Sequence, residues 1–189
     1  MARSDRVASV ASGVPPQGGI LFVTGFWSAE TLGRTSTRAT ESYLRLFAEM
    51  ERQLPFALHV WIEPDLEPRL AKIVPPYRRH RPPRTVAAKH FDELPYSHLT
   101  ERCEALPHMV NADPKGKESI AFTTTSWAKA SLVDEAARLH DVAGADARVA
   151  WIDFGLAHVA DMRIDWTAIE RAIRSIALVQ VCEMRPTSK

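Results

Sequence analysis

The chain has 189 residues, with 24 Lys and Arg against 23 Asp and Glu for a formal net charge of +1, and 46% of it is hydrophobic. That is room for one domain with a sizeable core. The near-zero charge argues against a general nucleic-acid binder, and no run of ~18 apolar residues offers a membrane span.

Residues 1–18 read as a flexible lead of small and polar residues, without the continuous apolar stretch of a secretory signal. A single domain is expected over 19–185. "ILFVTGF" (20–26) is short, apolar and rich in β-branched and aromatic residues, and predicts a buried strand. The hydroxyls of Thr35, Ser36, Thr37 and Thr40 offer N-caps for a helix. In that helix Tyr43, Leu44, Phe47, Met50 and Leu54 recur at helical spacing, and Pro55 closes it.

"FALHVWI" (56–62) predicts a second strand, and the acidic, proline-marked "EPDLEP" leads into a short helix near 67–73. From Arg69 to Lys89 there are seven Lys and Arg and no acid. Such a stretch is a solvated loop or an anion-binding patch. "RTVAAKHF" (84–91) predicts a third strand, at an edge. "YSHLTERCEAL" predicts a short helix with Leu99, Cys103 and Leu106 on one side, and "NADPKGK" (111–117) a loop.

"SWAKASLVDEAARLHD" (126–141) predicts an amphipathic helix capped by Ser126, with Ala130, Val133 and Ala137 on one face. "RVAWIDF" (148–154) is the strongest strand. "TAIERAIRSI" (167–176) opens on a capping box, Thr167 and Glu170, and puts Trp166, Ile169, Ile173 and Ile176 on one face. "ALVQVCEM" (177–184) predicts a last strand. Strands alternating with helices specify an α/β fold with a mostly parallel sheet. Cys103 and Cys182 lie far apart and form no metal-type pair; two thiols in a cytoplasmic protein are expected.

In open parallel sheets, ligands bind beyond the carboxyl ends of the strands. The first strand end carries Thr24 and Gly25, the second Glu63 and Asp65, and the fourth Asp153, followed by Gly155, His158 and Asp161. A strand-end carboxylate suits Mg²⁺ or Mn²⁺, which take oxygen ligands and can neutralise a diphosphate leaving group. Asp153 can equally cap a turn through its own backbone. Trp61, Trp127, Trp151 and Trp166 read as core residues rather than ligand platforms. The "DFG" triplet lacks the glycine-rich loop, strand lysine and His-Arg-Asp loop of a protein kinase.

At these residues the chain resembles the bacterial HtrL/YibB family, related to the WlaTC-type proteins of surface-glycan loci. The resemblance rests on "LFVTGFW", "RTSTRATESYLRLFAEM", "FALHVWIEPDL", "TSWAKASLVDEAARL" and above all "ARVAWIDFGLAHV". It implies a GT-A-like glycosyltransferase, with a Rossmann-like sheet and helices on both faces. Sugar would pass from a nucleotide-sugar donor to a surface-glycan or lipid-linked acceptor.

Carried onto this chain, the resemblance implies that Thr24 and Gly25 lie in the nucleotide loop after the first strand. It implies that Glu63 faces the base or ribose, and that Lys129, before its helix, lies near the donor phosphates or an acidic partner. Asp153 and Gly155 would stand at the donor strand end, with Mg²⁺ or Mn²⁺ on Asp153 and on His158 or Asp161. Two departures stand out: Asp153-Phe154-Gly155 replaces the usual Asp-x-Asp, and family members extend further. The short chain is therefore expected to be a minimal, truncated or degenerate member. The rival expectations are a non-catalytic nucleotide- or glycan-binding module of the same fold and an arginine-rich interaction protein. Peripheral contact with the inner face of the membrane would use Arg78, Arg79, Arg81 and Arg84.

Overall fold

The computed structural model describes residues 19–28, 30–32, 39–74, 82–100, 102, 120–142, 146–154, 156 and 164–176. Four strands are described: β1 (Ile20–Phe26), β2 (Ala57–Ile62), β3 (Arg84–Ala88) and β4 (Arg148–Trp151). They form one sheet in the order β3-β2-β1-β4, and every pairing is parallel. The register sets Gly25 opposite Trp61 and Val23 opposite Trp151. The protein is thus of the α/β class, with β3 at an edge as its sequence predicts.

The central strands are covered on both faces, which is why their sequences are nearly unbroken apolar runs. All six residues of β2 are buried. Side chains alternate along a strand, so each strand serves two cores. On one face Phe22, Leu58, Val60, Ile62, Ile152 and Phe154 form a cluster. Helices α1 (Thr40–Gln53) and α2 (Glu67–Ile73) close it with Leu44, Phe47, Met50 and Leu70. Trp166, Ile169 and Ile173 add the apolar stripe of a later helix, Trp166–Ser175, as their spacing predicts.

On the other face Leu21, Val23, Trp27, Ala57 and Trp61 meet the helix α3 (Ile120–Leu139), which makes the helix at 166–175 α4. The stripe that α3 buries is mostly small: Ala121, Thr124, Ala128, Leu132 and Ala136. Small helix residues leave room for large residues on the strands, and close packing follows. Trp61 crosses this contact to donate its Nε1–H to the Leu132 carbonyl at 3.2 Å.

Local details depart from the sequence expectations. Helix α3 begins at least six residues before Ser126, whose hydroxyl donates instead to the Phe122 carbonyl, 3.0 Å away inside the helix. The buried row runs through Ala128, Leu132 and Ala136, while Ala130 is exposed and Val133 and Ala137 are half-buried. Alanines lie on several sides of α3, so their periodicity does not single out one face. In α4 the cap is Asp165, whose Oδ1 accepts from the Ala168 N–H at 3.0 Å. Asp caps as well as Thr does, and it stands at the position where the chain turns into the helix. Ala39 holds the cap position of α1 and makes no side-chain cap. Beyond β3, a 3-10 turn at Ser97–Leu99 starts where a short helix is expected.

The lead 1–18, Thr35–Thr37, Cys103, Leu106, the 111–117 loop, the 177–184 strand and Cys182 lie outside the described residues. Among the described residues no helix is long and apolar enough to cross a membrane.

Candidate functional site

The winding of the sheet reverses at β1. The chain reaches β2 and β3 through helices on one face, and β4, on the opposite side of β1, follows a helix on the other face. Ligand crevices form beyond the carboxyl ends of strands at such a reversal. The residues there are Gly25 and Phe26 at the end of β1, Trp27 after it, and Ile152 and Asp153 after β4.

Ile152 N–H still pairs with the Val23 carbonyl at 2.9 Å, and Asp153 follows it, its carbonyl accepting from the Leu156 N–H at 3.0 Å. Alternation sends Trp151 and Asp153 to the α3 side. Asp153 Oδ1 accepts from Lys129 Nζ at 3.0 Å and from Trp151 Nε1–H at 3.0 Å. The ammonium also lies 5.5 Å from the centroid of the Trp151 ring, within cation–π range. The unit faces solvent, with the Lys129 side chain 38% and the Asp153 side chain 68% exposed. Lys129 and Asp153, 24 residues apart, are thus brought together. Lys129 does not precede its helix: it lies in the middle of α3, away from the positive helix end that disfavours a cation.

Thr24 and Gly25 belong to β1 itself, not to a loop after it. A Cβ on Gly25 would lie 2.8 Å from Trp27 Cζ3 and 3.1 Å from Trp151 Cη2. Two indoles therefore require glycine at this position. Thr24 alternates with Phe22 and Phe26 toward the opposite face, is fully buried, and has no partner for Oγ1 among the described residues. It is not part of the Asp153 cluster.

Glu63 directly follows β2 and acts as a latch. Its Oε2 accepts from the Ser28 N–H at 3.0 Å, and its Oε1 accepts from the Thr31 hydroxyl. Ser28 and Thr31 also bond to each other, so one carboxylate fixes the segment after β1. Beside it is an open cleft of about 600 Å³, lined by Thr31, Thr40, Glu63, Asp65 and Arg69 among others. Glu30 and Glu41 add to its negative charge, while Arg69 pairs with Glu41 at 3.1 Å. The cleft suits hydrogen-bond donors such as ribose hydroxyls and exocyclic amines better than phosphates.

A second lysine–tryptophan–carboxylate unit stands nearby. Lys89 Nζ contacts Glu135 Oε1 at 2.8 Å and Oε2 at 2.6 Å, and lies 4.6 Å from the Trp61 ring centroid. Trp27 Nε1–H donates to the Lys89 carbonyl at 3.1 Å. Deeper, His59 Nδ1 and His140 Nε2 are 2.9 Å apart and buried. Burial, helped by the charges of His140 and Lys89, pushes the His59 pKa down to about 3, and burial also lowers that of His140. His59 reads in sequence as just another inward position of β2, and its partner is 81 residues away.

Other expectations resolve differently. Phe154, the middle of "DFG", is core: it stacks on Phe26 and Phe47 at 4.6 and 4.2 Å. Trp127, read as core, is 48% exposed on α3. Arg84 is not available to a membrane, because its guanidinium is buried against Glu51 at 2.9 Å, with both side chains 5% exposed or less. Arg78, Arg79, Arg81, Gly155, His158 and Asp161 lie outside the described residues.

Among the described residues no three His, Cys, Asp or Glu gather as metal ligands. At Asp153 the oxygen Oδ1 favours a cationic side chain over Mg²⁺ or Mn²⁺, and the other expected ligands, His158 and Asp161, lie outside the described residues. Oδ1 already has two donors, one of them a cation, and a divalent ion on the same carboxylate would be repelled by that ammonium. Comparison with known proteins gives no match: no known family, no curated protein and no solved structure matches this chain.

Proposed function

We propose that this chain is a glycosyltransferase-like protein with a Rossmann-like, GT-A-type sheet, which takes a nucleotide-sugar donor and passes the sugar to a surface-glycan acceptor. The observation that carries the reading is the Lys129–Asp153–Trp151 unit, on the carboxyl ends of the strands where the winding reverses. The diphosphate would lie at this unit. The nucleoside would extend toward the electronegative cleft at Glu63 and Asp65, whose carboxylates accept from hydroxyls and amines. Arg78, Arg79 and Arg81 would hold the enzyme near anionic headgroups and a lipid-linked acceptor.

A second reading is a binding module of the same fold that performs no transfer. The commitment of Asp153 Oδ1 to two internal donors favours it, because that oxygen is not left to activate anything. Calorimetric titration with UDP-, GDP- and CMP-sugars, followed by assay of sugar release, separates the two. Binding of one nucleotide class with turnover supports transfer. Binding without turnover leaves the module. A folded protein that binds none of them ends both.

A further inference from the structure

We infer that Lys129, held by Asp153 and Trp151, is the cation that receives the donor diphosphate, in the place a divalent metal would otherwise take. This deepens the reading of a nucleotide-sugar site and rests on it.

Three observations support the assignment. The first is saturation of the carboxylate oxygen. A carboxylate oxygen has two lone-pair sites, and Asp153 Oδ1 receives two donors at 3.0 Å, Lys129 Nζ and Trp151 Nε1–H. Asp153 thereby acts as an anchor for a lysine. The second is what the lysine retains. An ammonium has three N–H donors, and one is directed at Asp153. Its exposure of 38% leaves the others open to solvent at the strand ends. The third is a contrast in the same protein. Lys89, with the same indole and carboxylate chemistry, is 15% exposed and contacts both oxygens of Glu135 within 2.8 Å. Lys89 is closed; Lys129 is open.

Trp151 is then a positioning residue. Its N–H fixes the rotation of the Asp153 carboxylate, and its ring supports the ammonium from one side. The bare Cα of Gly25 is what lets that ring seat against β1. An ammonium already placed by a carboxylate and an indole forms charge-assisted hydrogen bonds to phosphate oxygens with less ordering to complete on binding.

The roles of Asp153 and Lys129 can be told apart by sign. If Asp153 held a metal, Asp153→Asn would abolish diphosphate binding. If Asp153 anchors a lysine, the same change removes a negative charge facing the diphosphate, so affinity holds or rises. Lys129→Met removes the cation and weakens binding at least about tenfold, the scale of one charged hydrogen bond. Lys129→Arg restores most of it. Trp151→Phe keeps the ring but loses the N–H, and weakens binding about threefold, a fraction of that bond.

The experiment is calorimetry with UDP, GDP, CDP and inorganic pyrophosphate, in EDTA and in Mn²⁺. Lysine Cε NMR of the same samples reports on Lys129 directly. The inference expects one diphosphate to bind in EDTA, to shift the Lys129 signal, and to follow the variant pattern above. Binding that needs Mn²⁺ and disappears in Asp153→Asn overturns the inference while leaving the nucleotide-sugar reading intact. No response to any diphosphate under either condition overturns both.

Discussion

Two lysines stand on the α3 side of this sheet, each over a tryptophan and each on a carboxylate, and they differ in what surrounds them. Lys89 grips both oxygens of Glu135 and lies 4.6 Å from Trp61, which is itself buried. Lys129 has one oxygen of Asp153, which it shares with Trp151, and both side chains reach solvent. Identical chemical groups thus form a fastener in one place and an offered cation in the other. The difference lies in burial and in the number of oxygens engaged, not in residue type.

The largest effect is expected at a pair that is fully closed. Arg84 and Glu51 form a buried pair, and Arg84→Met should cost about 3–5 kcal/mol because it takes the guanidinium away from a carboxylate in the core. Urea unfolding of the variant measures this, and a loss below about 1 kcal/mol would show the pair to be open. Next in size is the pH response of the buried histidines. Both are neutral in the fold, with pKa values below the ordinary 6.5, and that of His59 falls to about 3. The unfolded chain therefore binds protons first. Stability should be full above pH 6.5 and fall as pH drops toward about 3, at about 1.4 kcal/mol per unit for one such group. The slope in His59→Asn, compared with that of the wild type by urea midpoints, isolates the contribution.

Gly25 tests the seat of the open unit. Gly25→Val forces Trp27 and Trp151 apart and should destabilise by about 1–3 kcal/mol, with a change in near-UV circular dichroism from the displaced indoles. An unchanged spectrum would mean the rings are not packed there. The smallest effects are expected at the two lysines. Lys89→Met should lose about 1–2 kcal/mol of stability. Lys129→Met should stay within about 0.5 kcal/mol of the wild type in stability. Equal losses in the two would erase the distinction between fastener and offered cation.

The strands were legible because β1 and β2 are buried on both faces and so carry unbroken apolar runs. The start of α3 was not, because "FTTTS" is rich in β-branched and hydroxyl residues that local propensity does not assign to a helix. At the site, Asp153, Lys129 and Glu63 were visible as charged residues near strand ends and helices. What each carboxylate holds was hidden. Glu63 closes on Ser28 and Thr31, and Asp153 on Lys129 and Trp151. The His59–His140 pair left no trace in the sequence, because nothing local tells which distant residue a histidine in a strand will meet.

The order of the described strands and main helices, the parallel α/β class and the apolar stripe of α4 came from the sequence alone, because alternation and helical spacing are local periodicities written in adjacent residues. The tertiary structure decided which charges are closed and which are open, why Gly25 has no side chain, and that Lys129 meets Asp153. Burial and pairing depend on residues far apart in the chain, and only the packing of α3 against the sheet brings them within bonding distance.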